Sequence, residues 1–127
     1  MAAPNLVNVT SIFGKTAYDS DVGTSDSDLL SNAAGSNKVL KINTIIAANR
    51  DGTNDADITV FVCTVSGNGT PALYFLAKTI TVPADSSLVI ISKDTSFYLE
   101  EDFRIRSVAS ASGDISLMVS YEEIDDA

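Results

Sequence analysis

The stretch most suggestive of chemistry is Gly14-Lys15-Thr16, because a glycine followed by lysine and threonine ends a phosphate-binding loop. The full motif needs a second glycine five residues earlier, where this chain has Val9. Residues 9–13 look like a strand and not like a flexible loop, and no helix pattern follows them. The sequence therefore predicts no nucleotide site. It predicts instead that Gly14 bends or bulges an early strand and that Lys15 lies in water.

Catalytic side chains of the common kinds are scarce, since the chain has no histidine and one cysteine. This composition excludes Ser-His-Asp and Cys-His nucleophiles and removes the usual ligands of zinc, copper and iron. A glycosidase would need two positioned carboxylates, for which Glu100, Glu101, Asp102 and Asp114 are the candidates. No pair among them stands out, so we predict a protein that is not an enzyme, with no catalytic residue, cofactor or small-molecule substrate.

We predict no bound metal, and calcium is the one metal for which the loops offer weak candidate ligands, because oxygen ligands on loops suit it. Asp51, Asp55 and Asp57 in "DGTNDAD" are the candidate ligands. A second acidic stretch, residues 19–28, offers four more aspartates. Neither stretch has the ligand spacing of a helix–loop–helix calcium site, and aspartate, asparagine and glycine also make turns without any metal.

The charge of the chain disfavours two classes of partner. The formal net charge is −9, and residues 51–127 hold thirteen acidic and four basic side chains. Nucleic acid and anionic membranes both need clustered basic groups, so we expect neither. Arg104 and Arg106 are predicted to pair with the acids at positions 100–102. Cys63 lies in the apolar run "ITVFVCTV" and is predicted to be a buried hydrophobic residue.

The elements that would position these side chains are strands, because apolar residues recur with a period of two. Clusters such as "NRDGTNDAD" and "VPADSS" are turn signals between them. The only helical alternative is a short turn around residues 26–32. The run "ITVFVCTV" is apolar on both faces, which predicts a central strand. The predicted strands are 6–17, 27–31, 38–49, 57–65, 73–82, 87–92, 96–99, 103–109 and 115–123.

These strands predict one all-β domain, an antiparallel β-sandwich of about eight strands with a jelly-roll-like arrangement. The domain spans residues 1–127, with an N-terminal arm at about 1–5 and an acidic C-terminal end at about 122–127. No signal peptide and no membrane-spanning run are recognisable. The predicted core consists of Leu40, Ile42, Ile46, Ile58, Val60, Val62, Ile90, Ile105, Leu117 and Val119.

Several segments resemble one family nearly end to end. They are "APNLVNVTSIFGKTA", "KVLKINTIIAANRDGTNDADITVFV" and the stretch from "ITVPADSSLVIISKD" through "YLEEDFRIRS" to "VSYEEI". They are similar to small virion structural proteins of tailed bacteriophages, particularly marine and cyanobacterial phages. In that family a glycine often follows the two acids of "YLEEDF", where this chain has Asp102.

The resemblance implies an all-β subunit present in many copies on the virion and made in the host cytoplasm. We expect a capsid decoration or cement protein that binds the major capsid protein or another virion protein. A neck or tail component remains open. A receptor-binding or glycan-binding module is the other alternative, and it would use exposed aromatic residues, for which Tyr18, Tyr74 and Tyr98 are the candidates.

We also expect a homo-oligomer. The runs "LYFLAKTITV" and "ITVFVCTV" carry more apolar residues than one two-layer core readily absorbs, and a neighbouring copy would cover the surplus. A homotrimer is the expected state, by analogy with decoration proteins that occupy local three-fold positions.

Overall fold

The computed structural model describes residues 5–65 and 71–125, so residues 1–4 of the predicted arm and 126–127 of the acidic end lie outside it. The described chain forms nine strands and one short 3-10 turn at Lys93–Thr95. The strands are β1 (Ser11–Asp19), β2 (Ser27–Asn32), β3 (Lys38–Asn49), β4 (Ala56–Thr64), β5 (Tyr74–Val82), β6 (Ser87–Ile91), β7 (Phe97–Leu99), β8 (Phe103–Ala109) and β9 (Ile115–Asp125).

Two antiparallel sheets pack as a sandwich, as the alternating pattern predicted. The five-stranded sheet has the order β1-β9-β3-β6, and β7 pairs with β3 beside β6. The four-stranded sheet has the order β2-β8-β4-β5. If the three-residue β7 is set aside, the two four-strand orders are those of a jelly roll, in which two Greek keys close over one core.

The core lies between the sheets and contains most of the residues that the sequence predicted for it. Leu40, Ile42, Ile58, Val60, Ile105, Leu117 and Val119 are buried there. The prediction is wrong for Ile46, which lies half-buried outside the core cluster. Val62 and Ile90 pack against the core but are only half-buried.

A β-bulge in β3 explains the error at Ile46. The pairing of β3 with β9 shifts between Ile42 and Thr44, so Asn43 is an extra residue in the ladder. An extra residue reverses the alternation of side chains beyond it. Ile45 and Ala47 therefore enter the core, and Ile46 faces outwards.

The N-terminal end of the first strand also differs from its prediction. Residues 5–10 form turns instead of strand, because the Asn5 side chain accepts a hydrogen bond from the Val7 amide (3.0 Å) and the Asn5 carbonyl accepts one from Asn8 (3.0 Å). The predicted bulge at Gly14 is absent, since β1 pairs with β9 without a register shift. The helical alternative around residues 26–32 is wrong, because Ser27–Asn32 is β2.

Strand β4 is central, as predicted, and lies between β8 and β5. Phe61 and Cys63 are buried on its outer face, away from the core cluster. The Phe61 ring packs against Phe75 with 5.8 Å between ring centroids. The apolar residues of β4 are therefore covered within the chain itself, whereas Tyr74, Phe75 and Ile80 of β5 remain exposed.

The turn that precedes β8 keeps a glycine-like conformation without the glycine. Asp102 has a φ of 67°, in the left-handed region that glycine adopts at least cost. Its amide donates to the Asn32 carbonyl (2.8 Å) and its carbonyl accepts from the Val65 amide (2.8 Å). These two bonds hold the turn in this conformation.

Candidate docking surfaces

Lys15, the cation of the apparent phosphate-loop triplet, belongs to an ion-pair cluster on β1, β9 and β3. Its Nζ lies 3.0 Å from Glu123 Oε2, and Lys38 Nζ lies 3.7 Å from the other oxygen of the same carboxylate. The hydrogen bond to Glu123 and the charge of that carboxylate raise the pKa of Lys15 above its usual value. Lys15 is thus held by an acid, and Gly14-Lys15-Thr16 lies inside a regular strand.

The four carboxylates considered for glycoside chemistry lie at opposite ends of β8. Glu100, Glu101 and Asp102 precede this strand, and Asp114 follows it. Glu101 Oε1 accepts a hydrogen bond from the Asn37 amide (2.7 Å), so this acid holds a turn. The structure therefore does not bring Asp114 to the other three.

The carboxylates of the three calcium candidates accept hydrogen bonds from different groups. Asp51 Oδ1 accepts from the amides of Thr53 (2.8 Å) and Asn54 (3.1 Å), and these bonds lower the pKa of Asp51 below its usual value. Asp55 Oδ1 accepts from the Ala84 amide (3.0 Å), and Asp57 Oδ1 accepts from the Thr81 hydroxyl (2.8 Å). Within residues 5–65 and 71–125, no three acidic, histidine or cysteine side chains are grouped to hold a metal ion.

The two arginines of β8 pair with a different acid from the ones predicted. Arg106 Nε and Arg104 Nη1 lie 2.9 Å and 3.4 Å from the same Asp28 oxygen on β2. Sequence reasoning missed this pair because Asp28 lies far away along the chain and becomes a neighbour only when β2 pairs with β8. The Cys63 sulfur, on the residue paired with Arg104 in β4, and the Asp28 carboxylate raise the pKa of Arg104 above its usual value. Cys63 itself is buried, as predicted.

The outer face of the five-stranded sheet carries an apolar row that crosses four strands. Tyr18 on β1 pairs with Met118 on β9, Met118 pairs with Ile46 on β3, and Ile46 pairs with Val89 on β6. Side chains of directly paired residues share one face of a sheet. Tyr18 is 73% exposed, Val89 58% and Met118 45%, so the row is open to solvent.

Small uncharged residues flank this row on both sides, in the register positions next to it. Together with the row they form a surface that we call the platform. A depression of about 210 Å³ opens at its β1 side, lined in part by Tyr18, Ile46 and Met118. The platform consists of Thr16, Tyr18, Thr44, Ile46, Ala48, Ser87, Val89, Ser116, Met118 and Ser120.

The platform holds no charged side chain, although charged residues make up 20% of the chain. Interface cores are depleted of charge and enriched in tyrosine and methionine relative to the rest of a protein surface. An exposed apolar surface with a polar surround is typical of a contact site for another protein. No local sequence pattern indicates the platform, because Ile46 belongs to it only as a result of the bulge at Asn43.

A second candidate surface is an aromatic cleft of about 270 Å³ at one open side of the sandwich. It brings together Tyr74 and Tyr98, two of the three tyrosines considered for glycan binding. Tyr18, the third, lies apart on the platform. The lining residues are Val62, Tyr74, Leu76, Phe97, Tyr98, Glu100 and Phe103.

Comparison with a solved virus structure supports the fold. A chain in the structure of infectious bursal disease virus Gx strain matches with a TM-score of 0.51 and 14% sequence identity, covering 91% of this chain and 32% of that chain. This chain therefore spans about a third of the length of the viral one. A chain of the Bacillus endospore appendages, described as disulfide-linked pili, matches with a TM-score of 0.48 and 14% identity, covering 100% and 98% of the two chains.

No protein-family model matches the sequence, and no curated protein sequence matches it either. Within the described residues, no helix has the length and hydropathy needed to cross a membrane.

Proposed function

We propose that this chain is a non-enzymatic virion structural protein that decorates the head of a tailed phage. It docks through the platform onto the major capsid protein or another virion protein. The observation that carries the proposal is the uncharged, solvent-open face around Tyr18, Ile46 and Met118 in a chain of net charge −9. The likeness in fold to a chain of a virus structure supports the same class of function by analogy.

Docking of this kind stabilises a shell by mass action, because a subunit that binds only the assembled shell favours that state. The acidic side chains, which are concentrated after residue 50, would then lie around the contact or face solvent. Like charges on the outside of neighbouring particles keep them apart. In this arrangement the apolar platform and the acidic surface have separate roles.

The proposal is tested on the particle whose genome encodes the chain. We expect an image reconstruction of that particle to show the nine-strand sandwich on the head surface, with the platform against the shell. A sandwich on the neck or tail would contradict decoration of the head but leave a virion role. Absence of the chain from purified particles would contradict both.

A matched pair of variants tests the platform itself. Met118→Glu adds one charge in the middle of the apolar row, whereas Ser96→Glu adds the same charge at an exposed position after the 3-10 turn. We expect both variants to fold, and only Met118→Glu to fail to bind when it is added to particles assembled without this protein. Attachment of Met118→Glu at the level of the unmodified protein would contradict docking through the platform.

The aromatic cleft supports a second candidate function, a glycan-binding module of the virion. Tyr74 and Tyr98 are both exposed, and Glu100 adds a hydrogen-bond acceptor to an otherwise apolar lining. Binding to a glycan array that is lost in Tyr74→Ala and kept in Tyr18→Ala would favour this function. Absence of binding by the unmodified protein across such an array would count against it.

A further inference from the structure

The two sheets have four edges, and three of them are interrupted. Strand β5 contains two register shifts against β4, and Thr79 within it has a φ of 52°. Strand β2 has six residues, with a register shift between Asp28 and Leu30. The β3 side of the larger sheet ends in β6 and β7, two short strands separated by the 3-10 turn. Short strands and bulges are the devices by which proteins prevent edge-to-edge association.

Strand β1, the fourth edge, is neither short nor bulged, and its one protective feature is Lys15, whose charge Glu123 already pairs. Its nine residues pair with β9 without a register shift and include no proline. Ile12 and Phe13 are 55% and 51% exposed. Within residues 5–65 and 71–125, the backbone groups of β1 that point away from β9 make no hydrogen bond. This edge is therefore an open template for another strand.

Gly14 lies in the middle of this open edge without a reason inside the single chain. Its φ lies outside the left-handed region, and a Cβ added to it would meet no heavy atom within 4 Å. A glycine within a strand weakens the strand, and it often marks a place where another backbone approaches closely. Contacts within the single chain therefore do not explain why a glycine occupies position 14 of the triplet Gly14-Lys15-Thr16.

We propose that β1 pairs antiparallel with β1 of a second copy of this chain, around a two-fold axis at Gly14. A two-fold contact is self-complementary, and one open edge per chain closes at two copies. With Gly14 on the axis, Phe13 of each chain lies opposite Lys15 of the other, and Ile12 lies opposite Thr16. This register avoids the two opposed lysines that an axis at Lys15 would produce.

The chemistry of the edge suits a second copy. Lys15 is the only cation of β1, and Glu123 of its own chain already neutralises it, whereas Asp19 lies at the far end of the strand. Lys15 Nζ also lies 6.0 Å from the centroid of the Phe13 ring in the same chain, so this pair of residue types is already in contact. Glu122 lies opposite Gly14 on β9, one strand behind the edge, and Lys41 lies opposite Glu122 on β3. Salt screens the remaining repulsion from the net charge of −9.

The pairing would join two five-stranded sheets into one continuous sheet. A two-fold axis perpendicular to the sheet places both platforms on the same side, so that the pair presents a doubled contact surface. This consequence rests on the proposed docking function, but the pairing itself does not. The homotrimer expected from the sequence would need a different contact, because a two-fold edge pairing closes at two copies.

An introduced cysteine tests the pairing and its register. The single native cysteine, Cys63, is 1% exposed, so Gly14→Cys adds the only accessible thiol among the described residues. Opposed residues of an antiparallel pair lie about 4.5–5.5 Å apart between Cα atoms, a separation that a disulfide spans. We expect mild oxidation to give a covalent dimer of Gly14→Cys, and none of Ser96→Cys, an exposed position after the 3-10 turn that lies outside both β1 and the platform.

Light scattering tests the same contact without a covalent link. The unmodified protein should be a dimer. Gly14→Asp places two like charges on the axis and should raise the dissociation constant by about ten-fold or more, whereas Ser96→Asp makes the same charge change after the 3-10 turn and should not. A urea melt shows whether both variants remain folded.

A monomer, or a trimer in which Gly14→Cys gives no cross-link, would overturn the pairing. So would a dimer that Gly14→Asp leaves unchanged. The presence of a monomeric chain on the virion would overturn the pairing and leave the proposed function standing.

Discussion

Two buried asparagines, Asn32 and Asn49, tie the sheets together at opposite ends of the sandwich. Asn32 ends β2 in the four-stranded sheet, and its Nδ2 donates to the carbonyls of Lys38 and Leu99 in the other sheet, both at 3.0 Å. Asn49 ends β3 in the five-stranded sheet, and its Nδ2 donates to Val82 (2.9 Å) at the end of β5. At each end of the sandwich, an asparagine side-chain amide thus donates to backbone carbonyls that receive no hydrogen bond from strand pairing.

We expect Asn49→Ala to be strongly destabilising for the size of the change. Besides the Val82 carbonyl, the Asn49 side chain satisfies the Asn54 carbonyl (3.0 Å) and the Asp51 amide (2.9 Å). Leaving such buried groups unpaired should lower the free energy of unfolding by about 2–4 kcal/mol in urea melts. Asn43→Ala is the control, since the Asn43 side chain makes no hydrogen bond to the described residues. Equal losses for the two variants would contradict this role of Asn49.

The charge of Asp51 should make stability depend on pH in the acidic range. Hydrogen bonds from the Thr53 and Asn54 amides lower its pKa in the folded chain from the ordinary 3.8. Protonation is therefore harder in the folded state, so the contribution is complete above pH 3.8 and is lost as the pH falls through the folded pKa. Substitution of Asp51 by asparagine keeps an oxygen acceptor at this position but removes the negative charge.

The measurement is the difference in unfolding free energy between the unmodified protein and Asp51→Asn. We expect the difference at neutral pH to shrink as the solution is acidified below the ordinary aspartate pKa. Asp94→Asn, at an exposed position of the 3-10 turn, is the control for the loss of one negative charge. A difference that stays constant down to strongly acidic pH would show that the Asp51 charge does not support the turn.

Contacts between individual side chains are the feature that the sequence predicted least well. It placed Cys63 in the interior, because a local apolar run predicts burial. It missed the pairing of Arg104 and Arg106 with Asp28, since that contact depends on the register between β2 and β8. The positions of Asn32 and Asn49, each at the end of a predicted strand and next to a turn cluster, are the one sequence feature that indicates their role.

At the scale of elements, turn chemistry made the strands predictable and bulges limited the prediction. The clusters of glycine, asparagine, aspartate and serine fixed most strand bounds to within one or two residues, as for β3 and β8. A bulge leaves no comparable local signal, because an extra residue is defined only against the partner strand. The platform was unpredictable for the same reason, since its central residue, Ile46, faces outwards only because of the bulge.

Truncation on either side of this bulge tests the assignment of the faces of β3. Ile45→Ala should lower the free energy of unfolding by roughly 2–5 kcal/mol, like Ile42→Ala, because both side chains are fully buried. Ile46→Ala should cost under about 1 kcal/mol, because a half-exposed side chain leaves no enclosed cavity. The same residue type at adjacent positions makes the comparison direct. A larger loss for Ile46→Ala than for Ile45→Ala would place the bulge elsewhere.

At the scale of the whole molecule, the last strand of the chain completes the first sheet. Strand β9 lies between β1 and β3 and pairs with both along most of its length. Its inward residues Ile115, Leu117 and Val119 belong to the core cluster. The larger sheet therefore cannot form until the C-terminal strand is present, and its pairings join residues far apart in sequence. Such non-local pairing makes folding slow compared with that of helical domains.

Removal of β9 should therefore abolish the fold, whereas removal of the segment before β1 should not. Burial of each inward side chain of β9 contributes roughly 1.5–3 kcal/mol. Three such side chains, with the ladders on both sides, match a total domain stability of about 5–15 kcal/mol. A chain that ends at residue 114 should show no cooperative urea transition and no strand signal in far-ultraviolet circular dichroism. A chain that begins at residue 10 retains all nine strands and should keep both. A cooperative transition in the chain without β9 would show that the four-stranded sheet folds alone, and that the core does not need the strand that joins β1 to β3.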